Sequence, residues 1–243
     1  MLPLRACASV LTWLFFAALL LVCLTLALVL APFTAWDPDR RMLHAVVAHL
    51  AAAWLWLHPL LAVRVVGRDR LPGGPAVFVA NHQSMLDILL CLGLRWQFRF
   101  VSKASLFRVP LLGVLMRLLG YLSIERGQTG SARRLMDQAR GVLARGSAVL
   151  FFPEGTYGPG GPLLPFRRGA FVLAIEAGVP VVPIVLRGTR ETVPGDALLL
   201  RLPGRLRATI LPPIPPGDLG TDARALAERV RALMTAELGQ EGP

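Results

Sequence analysis

A chain of 243 residues with 54% hydrophobic and 17% charged side chains is too apolar for a disordered protein, and its length suits one α/β domain with an appended element. Its 26 basic residues against 15 acidic ones give a formal charge of +11; they are spread along the chain without a basic tail or lysine-rich block, which suits an anionic membrane surface and argues against a nucleic-acid-binding module. The cysteines Cys7, Cys23 and Cys91 are odd in number and lack metal-ligand spacing, which excludes a disulfide scaffold and reads as small hydrophobes in a reducing compartment.

Residues 9–31, SVLTWLFFAALLLVCLTLALVLA, carry no charge. At 1.5 Å per residue such a helix reaches about 35 Å, enough for a hydrocarbon core of roughly 30 Å, and it exceeds the apolar stretch of a cleaved signal peptide. A polar break, APFTAWDPDRR, leads to a second uncharged stretch at 42–63 that holds His44, His49 and His58 and the anchors Trp54 and Trp56. That segment either completes a membrane-embedded hairpin, lies in the interface, or packs as a core helix on the domain. Arg40, Arg41 and the basic domain place the following residues on the cytoplasmic side of a cell inner membrane by the positive-inside rule. The expected division is 1–63, transmembrane or interfacial helices, and 64–243, an α/β domain.

After Arg64 the texture changes. Short β-branched or aromatic runs fall at 61–67, 76–80, 98–102, 121–125, 148–153, 180–186 and 206–212, and helical patterns lie at 84–94, 111–119, 130–145, 168–177 and 221–238, punctuated by Gly and Pro. The alternation predicts an α/β fold with a mostly parallel central sheet flanked by helices.

In such sheets the loops after strand C-termini gather the chemistry, and three candidates lie there. In NHQSMLD (81–87), His82 leaves a strand beside a helix entrance whose dipole keeps its imidazole neutral. Asp87, one turn into the helix that Ser84 would cap, can reach back to fix the ring's tautomer and stabilise its charge once a hydroxyl proton is taken. The same four residues 84–87 also spell an acidic capping box, in which Asp87 needs no catalytic task. FPEGTYGPGGP sets Glu154 and Gly155 after an apolar strand, where backbone amides can approach a ligand. GYLSIER ends on Arg126, a planar fork for phosphate or a surface ion pair. The lone lysine, Lys103, hints at a position needing a compact ammonium. No serine sits in a G-x-S-x-G elbow, which weakens a hydrolase reading.

Taken in order, NHQSMLD, GYLSIER, FPEGT (152–156) and VPVVPI (179–184), with SKASLFRVPLLG (102–113) and PFRRGAF (165–171) between them, resemble the 1-acyl-sn-glycerol-3-phosphate acyltransferase family over about residues 60–215. The resemblance implies transfer of a fatty acyl group from acyl-CoA or acyl carrier protein to the free hydroxyl of a lysophosphatidate-like lysophospholipid acceptor, with no cofactor, no metal and no covalent acyl-enzyme. It implies His82 as general base and Asp87 as its orienter. Arg126 would meet the phosphate, Glu154 the glycerol, Gly155 and Thr156 would complete the acceptor region, and Lys103 and Arg168 would be further phosphate contacts. Two departures bear on the acceptor: Tyr157 stands where the family commonly has arginine, so Arg167 or Arg168 would have to compensate, and SKASL lacks the acidic residue often found two places after the lysine. Lyso-ornithine lipid and glycerol 3-phosphate are the alternative acceptors, and a non-catalytic membrane lipid-binding protein is the alternative of another class. The expected partners are membrane lipids and the two substrates, with no nucleic acid.

Overall fold

The computed structural model describes residues 2–34, 36–125, 127–158, 160–194, 198–218 and 220–240. Seven strands form a single sheet: β1 (Leu61–Val66), β2 (Val77–Ala80), β3 (Phe98–Lys103), β4 (Leu122–Ile124), β5 (Ala148–Phe151), β6 (Val181–Arg187) and β7 (Gly204–Ile210), in the order β1-β7-β6-β2-β5-β3-β4. Every neighbouring pair is parallel except β6 and β7. The expected mostly parallel α/β sheet is therefore present. Because β2 to β6 excluding β1 and β7 run one way, their C-terminal ends share one edge, and that edge carries the candidate segments.

Composition explains which strands lie inside. Central β2 and β5 are apolar at every position and wholly buried, as expected where helices cover both faces, whereas edge strand β1 alternates in exposure. The period of two divides the core. Phe78 and Ala80 of β2 face one layer with Phe98, Phe100, Leu150 and Ile184, while Val77 and Val79 face the other with Val149 and Val181. The first layer is covered by α1 (Leu2–Leu30), α2 (Arg41–Leu57), α3 (Leu86–Leu92) and α4 (Leu112–Leu118). The second is covered by α5 (Thr129–Ala144), α6 (Gly169–Ala177) and α8 (Ala223–Gln240), with short α7 (Thr189–Thr192) following β6.

The second apolar stretch is shorter than the uncharged run that suggested it. Helix α2 stops at Leu57 because Pro59 has no amide hydrogen to donate and its ring drives His58 to extended backbone; the run's last residues, from Leu61, enter β1 instead. Seventeen residues reach about 26 Å. Leu43, Val47, Ala51 and Leu55 are buried, and the helix packs on α1 and α3, which is the core-helix alternative. His44 is structural: its Nε2 donates to the Trp96 carbonyl at 2.9 Å, which leaves Nδ1 to face the Tyr121 hydroxyl at 3.3 Å. Asp39, in the turn before α2, pairs with Arg145 and, at 3.4 Å, with Arg41, so the turn is fastened to the end of α5.

Helix α1 is apolar and long enough to cross a membrane: over Arg5–Thr34 the mean hydropathy reaches 3.0 and only 17% of the most apolar stretch is buried. It is nevertheless docked on the domain. Cys23, Leu24 and Ala27 enter the first core layer. Nearer its start, Ser9 Oγ accepts the Leu200 amide at 2.9 Å, Trp13 Nε1 donates to Leu198 O at 2.7 Å, and Thr12 Oγ1 lies 3.1 Å from His58 Nε2. Val10, Leu11, Leu14 and Leu21 remain exposed, a face that only lipid or another apolar surface would cover.

Gly188 makes the turn out of β6 at φ 79°, and a methyl group there would sit 1.7 Å from the Arg205 carbonyl oxygen of β7. Gly188→Ala combines left-handed strain with a backbone clash and is expected to cost about 2 kcal/mol or more. A thermal-shift measurement in detergent should place its melting midpoint about 4–8 °C below that of the parent.

Candidate active site

Strand β2 ends at Ala80, and Asn81 continues its pairing through the side chain. Asn81 Nδ2 donates to Leu186 O at 2.9 Å and Oδ1 accepts the Leu186 amide at 2.7 Å, so a fully buried amide stands in for the next rung of the β2–β6 ladder. The backbone is thereby free to turn, and His82 leaves the sheet at its C-terminal edge. Both of its main-chain polar groups are taken: its amide donates to Glu154 Oε1 at 2.9 Å, and its carbonyl accepts the Gly158 amide at 2.8 Å.

The imidazole is fixed as firmly. His82 Nδ1 lies 2.9 Å from Asp87 Oδ2, and the side chains are 16% and 0% exposed. The same oxygen accepts the backbone amides of Gln83 at 2.6 Å and Ser84 at 2.8 Å. Helix α3 begins at Leu86, one residue later than expected, and Ser84 Oγ accepts the Leu86 amide at 3.3 Å. The two sequence readings of Asp87, capping-box acid and imidazole partner, are thus both realised by one oxygen. With Nδ1–H donating to a carboxylate, Nε2 carries the lone pair, and among the described residues it makes no hydrogen bond. The ring lies between two aromatic side chains: Phe152 stacks on it with centroids 4.0 Å apart and planes at 16°, and Tyr157 leans on it at 4.4 Å and 58°.

Glu154 follows the adjacent strand β5. Its second oxygen, Oε2, accepts the Leu164 amide at 3.0 Å, so the buried carboxylate bolts His82 to the far arm of its own loop. Burial pushes the Glu154 carboxyl above the usual carboxylate range, against the pull of the two amide donors and of His82. Gly155 turns at φ 74°, and the Arg167 guanidinium crosses it where a β-carbon would be, with Nε 2.5 Å from that position. Thr156 is exposed.

Lys103 and Arg168 lie along the same edge. Lys103 ends β3, opposite Ile124 of β4, is exposed, and stands two strand spacings, about 10 Å, from β2. Arg168 is exposed and directly precedes α6. Arg126 lies outside the described residues. Sequence reasoning did not single out Asn81 for its ladder role, Phe152, or Arg190, whose NH1 donates to Gly158 O at 2.6 Å. Arg190 follows β6, and nothing in its local sequence marks it; strand order alone brings it to the glycine-rich loop. Among the described residues no cluster of three or more His, Cys, Asp or Glu side chains is arranged to hold a metal ion.

A histidine held by a buried carboxylate, at the C-terminal edge of a mostly parallel sheet and in a chain with a long apolar helix, is an arrangement suited to general-base chemistry. Comparison with known proteins is specific. A family model described as acyltransferase matches residues 62–187. The chain is 37% identical over 217 residues to a 1-acyl-sn-glycerol-3-phosphate acyltransferase of Chlamydomonas reinhardtii, covering 88% of this chain and 64% of that protein. It is 34% identical over 190 residues to the protein of the same name from Salmonella typhimurium, covering 76% of each. Its fold matches the crystal structure of the 1-acyl-sn-glycerophosphate acyltransferase of Thermotoga maritima with a TM-score of 0.75 and 25% identity, over 98% of this chain and 100% of that one. The chain belongs to the acyltransferase family, as the order of its sequence blocks implied. It spans about half to two thirds of the length of its algal and plant relatives.

Asn81→Ala removes both partners of Leu186 in a fully buried position. The variant is expected to lose about 2–4 kcal/mol of stability, read as a lower denaturation midpoint.

Proposed function

We propose that the protein transfers a fatty acyl group from acyl-CoA or acyl carrier protein to the free hydroxyl of 1-acylglycerol 3-phosphate, giving phosphatidic acid for phospholipid biosynthesis. The observation that carries this reading is the 2.9 Å contact between His82 Nδ1 and Asp87 Oδ2, which leaves Nε2 as the basic nitrogen, in a chain whose relatives bear the name of that activity.

The chemistry follows from the atoms in place. Nε2 takes the proton of the acceptor hydroxyl as its oxygen attacks the thioester carbonyl. The Asp87 carboxylate stabilises the imidazolium that results, without itself taking the proton. When the tetrahedral intermediate collapses, the C–S bond breaks, the ester remains on the lipid, and the departing thiolate takes the proton back from His82. A thioester is already activated, so a general base worth about 10²- to 10⁴-fold together with orientation suffices, with neither enzyme nucleophile nor cofactor. The Gly155 amide donates to Phe152 O at 3.0 Å, so the neighbouring Thr156 amide is the candidate for the oxyanion.

Substrate placement follows the same edge. Glu154 holds the acceptor loop, and Gly155 and Thr156 lie on it. Lys103, Arg126 and Arg168 are the proposed phosphate contacts, and Arg167 across Gly155 supplies a further cation in a loop whose Thr156 is followed by Tyr157. A narrow apolar crevice lined by Trp13, Phe16, Trp54, Leu86, Leu89 and Leu200 lies between α1 and the start of α3. The apolar helix associates the protein with the membrane. We place it at the cell inner membrane with the domain on the cytoplasmic side, where both thioester donors occur. Lyso-ornithine lipid and glycerol 3-phosphate remain the competing acceptors.

The test is an acceptor panel with both donors. Product should form fastest with 1-acylglycerol 3-phosphate. His82→Ala should lower kcat by about 10²- to 10⁴-fold, and Asp87→Asn, which presents the wrong partner to Nδ1, by about 10²-fold or more. Full activity in His82→Ala would overturn the mechanism; thioester cleavage without an acyl-lipid product would overturn the transfer reading.

A further inference from the structure

We propose that Tyr157 is a positioning residue for the base: with Phe152 it holds the His82 imidazole between two aromatic rings and favours the imidazolium that forms during acyl transfer. This rests on the reading of His82 as the general base.

The two contacts differ in kind. Phe152 is a fixed wall: it stacks on His82 at 4.0 Å and is backed by Phe100 at 6.1 Å and 13°, and Phe100 is 1% exposed. Tyr157 comes from the opposite arm of the same loop, and its position is set by the residues on either side. Gly155 makes the turn at φ 74°, and the Gly158 amide is tied to the carbonyl of His82 itself. Glu154, one residue before the turn, holds the His82 amide. The segment carrying the Tyr157 ring is therefore pinned, at both ends, to the residue that the ring touches. A ring so held restricts the tilt of the imidazole about its bond to Asp87 and keeps Nε2 aimed in one direction.

The electrostatic consequence is differential. An aromatic face attracts a cation within about 6 Å of its centroid and a neutral ring much less. His82 is neutral before the reaction and positive once it has taken the hydroxyl proton, so the attraction grows along the reaction coordinate and lowers the barrier without tightening substrate binding. The effect matters because the side chain is only 16% exposed; little water is at hand to solvate the new charge, and Asp87 and the two rings supply the compensation.

Steady-state kinetics of the full-length protein in lipid–detergent micelles, with donor and acceptor varied, separate this from packing. Tyr157→Phe keeps the ring and should stay within about twofold of wild-type kcat, whereas Tyr157→Leu keeps bulk without a π face and should fall about 3- to 30-fold in kcat with acceptor KM essentially unchanged. If Tyr157→Leu unfolds, Tyr157→Met makes the same comparison. The inference is overturned if the aliphatic variants match wild type, if the loss lies in KM, or if Tyr157→Phe falls as far as Tyr157→Leu. A wild-type protein that forms no acyl-lipid product overturns the parent reading and this one with it; a wild type that is active and His82-dependent, with a normal Tyr157→Leu, overturns this one alone.

Discussion

One carboxylate oxygen organises the site. Asp87 Oδ2 accepts the imidazole Nδ1–H of His82 and the amides of Gln83 and Ser84, while among the described residues Oδ1 makes no hydrogen bond. A fully buried carboxylate is costly unless such donors surround it. Here the donors belong to the turn that presents His82, so the groups that compensate for burial are the groups that the proposed mechanism needs oriented. Helix entry, loop shape and imidazole tautomer are consequently one structural fact. The loop cannot relax without exposing an unpaired carboxylate, and the base cannot swing away without giving up a bond to a charge that has no water to replace it.

The sheet order supplies the second half of the site. Strands β2 and β5 are far apart in sequence but adjacent in space, so the loops that follow them meet directly. Glu154 makes use of this: its two oxygens bind the His82 amide on one loop and the Leu164 amide on the other. Asn81 does the corresponding work on the other flank, joining the end of β2 to β6. His82 thus emerges between two buried polar side chains that each tie it to a different neighbouring strand. Lys103 stands one strand further out than β5, at a distance that suits a headgroup charge better than a reacting hydroxyl.

Much of this was legible in the sequence because local rules and global fold agree. The strands are short β-branched or aromatic runs bounded by Gly and Pro, and all seven formed close to their expected positions. The dyad was legible as two competing readings of Asp87, and local sequence had no means to choose, because cap and imidazole partner call on the same carboxylate, three residues after Ser84 and five after His82. The boundary of α2 was misjudged for a physical reason: absence of charge marks burial, which continues through Pro59 into β1, whereas the helix ends where the proline removes a donor. Arg190 over the glycine-rich loop, the Asn81 rung and the pairing of Tyr157 with His82 were invisible for another reason. Each is a contact across the sheet edge that exists only once strand order is known.

The N-terminal helix acquires its meaning from the same geometry. An apolar helix that served only as a tether would need no polar contacts to the domain, yet Ser9, Thr12 and Trp13 spend their hydrogen-bonding groups on docking to it. Docking places one face of α1 against α2, α4 and the 198–200 segment and leaves the opposite face apolar and exposed. Leu86 and Leu89 of α3 face Thr12, Trp13 and Phe16 of α1 across a narrow apolar crevice, so the docked helix bears on the same first turn of α3 that holds Asp87.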